Sequence, residues 1–109
     1  KMRGAIFENM IVMEAIKHRY NMGLEGGVFF YRDSNQNEVD LLIKQEGELT
    51  AIEVKSSMTY SSSFEKALTQ IEGWIKTPIS KKAIVYSGDF ENTSGNINLI
   101  NYRHISSIL

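Results

Sequence analysis

Two acidic residues and a lysine occupy positions where they could carry out metal-assisted chemistry. Asp40 lies in the segment EVDLLIK, and Glu53 and Lys55 lie in the segment AIEVK that follows it. Two carboxylates held close together repel each other, so a half-buried pair persists only if it is protonated, paired with cations or bound to a metal ion. Mg²⁺ prefers one or two carboxylates, completed by water and phosphate oxygens. The three residues therefore predict a Mg²⁺ or Mn²⁺ site suited to cutting phosphodiester bonds.

The alternation of side chains along strands predicts that these residues share one face of a sheet. Glu53 and Lys55 are two residues apart and would project together. In the preceding strand the apolar residues at alternate positions are Val39, Leu41 and Ile43. Asp40 is then expected on the opposite face, where strand pairing would bring it beside Glu53 and Lys55. The lysine would hold an attacking water and offset the charge that develops in the transition state.

The rest of the sequence predicts the elements that position these residues. Apolar residues on two sides of a segment from Ala5 to about Arg19 indicate a helix with a broad buried face, and Ile6, Met10 and Met13 form one of these sides. Alternating segments and turn residues between 27 and 55 indicate an antiparallel meander of three strands. A second helix is expected from about 63 to 76, followed by a buried strand, KKAIVYSG, whose helical crossover favours parallel pairing.

The final segments and the fold class follow from the same patterns. NINLINY predicts a last strand, and RHISSIL predicts the start of a terminal helix. The order αβββαβ that precedes them indicates an α/β or α+β fold with a mixed central sheet flanked by helices.

Composition indicates one ordinary globular domain. The chain has 109 residues, of which 42% are hydrophobic and 23% are charged, and it has no cysteine. These values argue against disorder, a disulfide scaffold and thiolate metal sites. The net charge of −1 gives no overall basic field, so affinity for nucleic acid is expected to be weak in isolation. No apolar run is long enough to span a membrane, and the cytoplasm is the expected location.

The pattern D-x12-E-x-K, on two strands with a helix before and after, resembles the PD-(D/E)xK nuclease superfamily, whose core is restriction-endonuclease-like. Val39 stands where the motif's name has proline. More narrowly, the segments GAIFENMIVMEAI, FFYRDSNQNEVDLLI and AIEVKSS resemble the nuclease-like C-terminal domain of prokaryotic AAA+ ATPases. The resemblance covers Gly4 to about Tyr86. It implies that residues 1–109 are a single nuclease-like domain from a longer chain that contains an ATPase.

The resemblance also implies further site residues and partners. Members of the superfamily often place an acidic residue of the first helix at the metal, and Glu8 matches it. The second helix often supplies a polar residue, and Gln70 fits this position. The implied metal ligands are Asp40, Glu53 and Glu8, with Lys55 and Gln70 completing the catalytic group. The implied partners are DNA as the substrate, the ATPase module of the same chain and, because nucleases that cut both strands often pair, a second copy.

Plainer interpretations exist for each residue. A glutamate and a lysine two apart on a strand often form a solvated ion pair worth under about 1 kcal/mol. Glu8 could simply favour the helix macrodipole, and Gln70 could lie on the rim. For the whole chain, one alternative is a non-catalytic nucleic-acid-binding or regulatory module that keeps a degenerate nuclease site. Another is an unrelated α+β domain in which the motif matches by accident.

Overall fold

The chain forms a six-stranded mixed sheet with helical segments packed on both faces. The computed structural model describes residues 2–109, and their side chains from residue 4 onward. The elements are α1 (Met2–Asn21), β1 (Val28–Arg32), β2 (Glu38–Gln45), β3 (Glu48–Lys55), α2 (Lys66–Gln70), β4 (Ile79–Tyr86), β5 (Asn92–Ser94) and β6 (Ile97–Asn101). Short 3₁₀ segments cover Ser62–Glu65, Ile71–Gly73 and Tyr102–Ile108. The predicted mixed α/β class and the order αβββαβ are confirmed.

The strand order in the sheet is β1-β2-β3-β4-β6-β5. The first three strands pair antiparallel, as the predicted meander requires. β4 lies parallel to β3, so the expected helical crossover is confirmed, and β6 lies parallel to β4. β5 and β6 add an antiparallel hairpin at the far edge. β3 and β4 are consequently the two central strands of the sheet, and each pairs with a neighbour on both edges.

Two apolar cores lie on the opposite faces of the sheet. The core on the α1 side contains Ile11, Ala15, Leu41, Ile43, Ile52, Val54, Ala83, Val85, Ile105 and Ile108. The core on the α2 side contains Val39, Leu42, Leu49, Ala51, Leu68, Ile71, Ile84, Tyr86, Ile97 and Leu99. β3 and β4 contribute to both cores, so consecutive apolar residues are buried in each strand, Ala51 and Ile52 in β3 and 83–86 in β4.

The alternation of β2 is interrupted at Asp40. Phe29 of β1 faces Leu42, but Tyr31 faces Val39, so two steps along β1 correspond to three along β2. This extra residue is a β-bulge, which shifts the face of every side chain beyond it. Val39 therefore packs in the α2-side core. The prediction that Val39 shares a face with Leu41 and Ile43 is wrong, because only the pairing with β1 reveals the bulge.

α1 buries a narrower face than its sequence predicts. Its fully buried positions are spaced four apart at Ile11, Ala15 and Arg19. The expected buried side formed by Ile6, Met10 and Met13 is instead solvent-exposed. The helix is therefore apolar on the face that packs on the sheet and also on the face that points away. Among residues 2–109, no helix is long and apolar enough to cross a membrane.

The second predicted helix is broken into three short pieces. A 3₁₀ turn from Ser62 leads into α2, and a second 3₁₀ turn ends at Gly73, so the continuous helix predicted from 63 to 76 is wrong. The Thr69 hydroxyl donates a 2.8 Å hydrogen bond to the Lys66 carbonyl oxygen, a contact that often bends helices. Leu68 and Ile71, both fully buried, hold this segment against the sheet.

Replacing Leu68 with alanine should destabilise the domain by about 2–5 kcal/mol, because a fully buried leucine leaves a cavity at the centre of the α2-side core. The measurement is the free energy of unfolding in urea. Met58→Ala, at a position 71% exposed, is the matched control and should change that free energy by about 0.5 kcal/mol or less. Equal effects of the two substitutions would mean that α2 is not packed as described.

Candidate functional site

Asp40 and Glu53 lie side by side where the pairing of β2 and β3 ends. The last pair in register is Leu41 with Ile52, so the next residues outward are Asp40 and Glu53. The backbone N–H of Asp40 donates to Glu53 Oε2 at 3.2 Å, and the N–H of Val54 donates to Asp40 Oδ2 at 2.8 Å. The carboxylate of each residue thus accepts a hydrogen bond from a backbone N–H of the opposite strand. Two acidic side chains are thereby fixed next to each other.

Burial makes this carboxylate pair costly when both members are charged. Glu53 is only 6% exposed, and Asp40 is half-buried. Burial, followed by the charge of Asp40, raises the pKa of Glu53 from 4.5 to about 7. Burial also raises the pKa of Asp40, against the opposing effects of the Val54 N–H and the charge of Lys55. Glu53 is consequently poised to hold or release a proton near neutral pH.

Lys55 is the cation nearest to this pair. Its Nζ lies 3.8 Å from Glu53 Oε1, and its side chain is 37% exposed. The same ammonium lies over the ring of Phe64, 5.5 Å from the ring centroid, a contact that favours this position of the side chain. One partly solvated lysine compensates only part of two negative charges. Asp40, Glu53 and Lys55 lie close together, but the expectation that they share one face of the sheet is wrong: Asp40 lines the cleft towards α1, whereas Glu53 and Lys55 line the cleft towards α2, because the bulge in β2 shifts the alternation at Asp40.

Glu8 reaches the same end of the sheet from α1. It lines a cleft of about 320 Å³ together with Asp40 and Glu38. The pKa of Glu8 is raised by burial first, then by the charges of Asp40 and Glu38. The side chain of Glu8 is half-buried. Its carboxyl therefore experiences the field of the acidic pair.

Gln70 lies on the other side of the pair. It is exposed and lines a second cleft of about 260 Å³ between β3 and the α2 segment. Glu53, Lys55 and Lys66 line the same cleft. Gln70 is thus on the same cleft as Lys55, although the two side chains are not hydrogen-bonded to each other.

Glu38 is an exposed acidic residue that nevertheless influences the pair. It lines both clefts, and its charge raises the pKa values of Glu8, Asp40 and Glu53. The available signal was its position two residues before Asp40 on the same strand. Its own ion pair with Arg32, at 3.5 Å, is largely exposed and contributes little.

Whether a metal ion can bind here depends on which side chains could act as its ligands. Within the part of the chain that the structure describes, no three His, Asp or Glu side chains come close enough together to hold one ion. The resemblance implies Glu8 as a third ligand, but the structure does not bring it close enough to Asp40 and Glu53 to share one ion with them. Two carboxylates suffice for Mg²⁺, which keeps several waters and takes the remaining oxygens from its substrate. Asp40 and Glu53 fit such an ion.

The raised pKa of Glu53 predicts that stability falls between about pH 4.5 and pH 7. In this interval Glu53 holds a proton in the folded state that it has lost in the unfolded state. The contribution of Glu53 to the free energy of unfolding is therefore fully present below pH 4.5 and is lost as the pH rises through about 7. The expected slope reaches at most about 1.4 kcal/mol per pH unit. Urea unfolding at a series of pH values measures it, without added metal.

Glu53→Gln should flatten this profile, because the amide cannot titrate. Glu14→Gln, an exposed position on α1, is the matched control and should keep the wild-type profile. The assignment of this proton to Glu53 would be contradicted if the stability of the wild type rose from pH 4.5 to 7, or if its fall persisted in Glu53→Gln.

Comparison with known proteins places the chain in a family. No curated protein and no solved structure matches it. A family model described as a domain of unknown function, DUF4143, matches residues 3–105, which is nearly the whole chain. The chain therefore belongs to the DUF4143 family.

Proposed function

We propose that this domain is a metal-dependent nuclease-like module that hydrolyses phosphodiester bonds of nucleic acid. The observation that carries the proposal is the pair formed by the half-buried Asp40 and the buried Glu53, whose carboxylates accept backbone hydrogen bonds across the end of β2 and β3 while one partly solvated lysine, Lys55, offsets their charge. Raised pKa values mark a pair that is short of a cation. A divalent ion with oxygen preference, Mg²⁺ or Mn²⁺, meets that need. The adjacency of the pair also argues against an accidental match to the motif.

Asp40 and Glu53 would hold the ion by their carboxylates. Once bound, such an ion polarises a phosphoryl oxygen and makes a water molecule more acidic. The open cleft beside Glu53 supplies room for the phosphate, and Lys55 and Lys66 line it. Lys55, anchored over Phe64, is placed to orient the attacking water and to offset the charge that develops on the phosphate.

The two residues contributed by helices have supporting roles in this proposal. Glu8 does not share an ion with Asp40 and Glu53. Its proposed role is to hold a water or a second ion in the cleft that it lines together with Asp40. Gln70 would donate a hydrogen bond to a phosphate oxygen or a water in the cleft beside Lys55. Both are positioning residues for the ion and the substrate.

DNA is the proposed substrate, with an ATPase module of the same chain as the source of most binding affinity. The net charge of −1 leaves the domain without a broad basic surface. The positive groups at the cleft, Lys55 and Lys66, are few. Weak binding by the isolated domain is therefore expected, and a neighbouring module would deliver the strand to the cleft.

A second candidate function has one observation in its favour. In residues 2–109 no third acidic or histidine side chain completes a ligand cluster around Asp40 and Glu53. A module that has lost catalysis and binds nucleic acid, or regulates an attached ATPase, would also retain the fold and the pair. Such a module would bind DNA in a salt-dependent manner and would not cut it with any divalent ion.

Lys55→Ala should lower the rate of DNA cleavage by about 100-fold or more while leaving Mn²⁺ binding intact, because it removes one transition-state contact but no ligand. The assay follows single- and double-stranded DNA with Mg²⁺ and with Mn²⁺. Lys44→Ala, an exposed lysine near the other end of β2, is the matched control and should cleave at the wild-type rate.

Asp40→Asn is the complementary variant and should lose metal binding and cleavage together. Cleavage that persists in both the Lys55 and the Asp40 variants would come from a contaminant or from another site, and it would refute the assigned roles. Salt-dependent DNA binding by a wild-type domain that binds Mn²⁺ but never cleaves would favour the second candidate.

A further inference from the structure

The cleft on the α2 side of the acidic pair combines aromatic rings with lysines. It is the cleft of about 260 Å³ that Glu53 and Lys55 line. Phe64, Ala67 and Trp74, from the broken helical segment of residues 62–74, line it as well. Proteins that bind unpaired nucleotides use this combination, because the bases stack on aromatic rings while the phosphates contact lysines.

The indole of Trp74 is held in position by a stacked tyrosine. The ring centroids of Tyr31 and Trp74 lie 5.9 Å apart, and the two rings are within 8° of parallel. The Tyr31 hydroxyl donates a 2.9 Å hydrogen bond to Asp33 Oδ2. Asp33 Oδ1 accepts the backbone N–H groups of Asn35 and Asn37, so the turn before β2 is tied to the same carboxylate. Trp74 therefore offers the cleft an aromatic surface that is ordered before any ligand binds, which lowers the entropy cost of binding.

The same turn contributes a glutamine to the cleft from a backbone conformation that favours glycine. Gln36 has a φ of +66°, in the left-handed region that glycine adopts without steric cost. Its side chain is exposed and lines the cleft. Left-handed backbone at other residues costs free energy and is concentrated at functional sites. The amide of Gln36 offers both a donor and an acceptor, which are the groups that contact the edge of an unpaired base.

The charges of the cleft favour a ligand that binds by more than its phosphates. Lys55 and Lys66 line it, but so do Glu38 and Glu53, and the two positive charges are balanced when both acids are ionised. Duplex DNA presents phosphates on its outside and keeps its bases paired, so its binding depends on positive charge that this cleft lacks. Stacking on an aromatic ring does not depend on net charge, and only an unpaired base has a free face to stack.

We propose that this cleft binds one unpaired nucleotide of a DNA strand, with its base stacked on Trp74, the edge of the base hydrogen-bonded to Gln36 and its phosphate beside Lys55. The proposal rests on the proposed function, because the phosphate beside Lys55 is the one that the metal ion would activate. It narrows the substrate to single-stranded DNA or to a strand that is unpaired at the cleft. A duplex would have to open there, at the cost of unstacking the base.

The fluorescence of Trp74 reports on the cleft directly, because the chain has one tryptophan. The probes are three DNAs of about 12 nucleotides: single-stranded oligothymidylate, its duplex with oligoadenylate, and an abasic strand that keeps the sugar-phosphate backbone and its charge. Titrations at low salt contain EDTA, so the result does not depend on whether the domain cleaves DNA. Oligothymidylate should quench the fluorescence and should bind about fivefold or more tightly than the duplex and the abasic strand.

Protein variants locate the base, with binding followed by the anisotropy of fluorescein-labelled strands. Trp74→Leu should bind the oligothymidylate and abasic strands equally. Gln36→Gly should weaken oligothymidylate binding about two- to tenfold without lowering the free energy of unfolding, because glycine suits the backbone there. It therefore tests the proposal even if Trp74→Leu does not fold. Tyr20→Leu, at an exposed aromatic position near the end of α1, is the matched control and should keep the wild-type preference.

Three results would overturn the proposal. The first is equal binding of oligothymidylate and the abasic strand by the wild type, even if the domain binds Mn²⁺ and cleaves DNA. The second is tighter binding of the duplex than of the single strand. The third is a preference for bases that survives Trp74→Leu and Gln36→Gly but is lost in Phe30→Leu, which would place the base in the cleft towards α1. A preference that depends on Trp74, in a domain that neither binds Mn²⁺ nor cleaves DNA, would support the base site and refute the proposed hydrolysis alone.

Discussion

The candidate site depends on one constraint, which is that two carboxylates replace the last hydrogen bonds between β2 and β3. Asp40 and Glu53 each accept a backbone N–H of the opposite strand, so neither can move away without leaving a donor unpaired. This fixes the two acids next to each other despite their repulsion. Burial raises the pKa values of both side chains, and the charge of Asp40 raises the pKa of Glu53 further. An ion between them would relieve a cost that the backbone imposes.

The sheet supplies the rigidity that this arrangement needs. β3 is buried on both faces and paired on both edges, so Glu53 stands on one of the most constrained strands of the domain. The bulge in β2 changes the direction of the strand beside Asp40. The two clefts then open on either side of the pair, one towards α1 and one towards α2. Local irregularity at a functional site within a regular sheet is a common pattern.

Sequence alone predicted the parts of the fold that follow from local patterns. The meander, the crossover to β4 and the closeness of Asp40 to Glu53 and Lys55 follow from the predicted strand order and the turn residues. The bulge could not be predicted, because it exists only in the register between β1 and β2. The influence of the exposed Glu38 on the acidic pair could not be predicted for a related reason, since it depends on three-dimensional distance.

The helices illustrate the other limits. Glu8 and Gln70 were suggested by family resemblance, because no local pattern distinguishes them from ordinary surface residues. Ile6, Met10 and Met13 were expected in the core, since hydrophobic spacing does not show which apolar face packs on the sheet and which stays exposed. The burial of Arg19 ran against the ordinary preference of arginine for the surface, and only the folded chain reveals it.

Proton release on Mn²⁺ binding tests the central claim most directly. Calorimetric titration at about pH 6.5, in two buffers with different enthalpies of ionisation, gives both the affinity and the number of protons released. A pKa of about 7 for Glu53 means that much of this carboxyl is protonated at that pH and must lose its proton to bind the ion. The account predicts binding with proton release in the wild type and neither in Asp40→Asn. Absence of binding, or equal binding by both proteins without proton release, would contradict it.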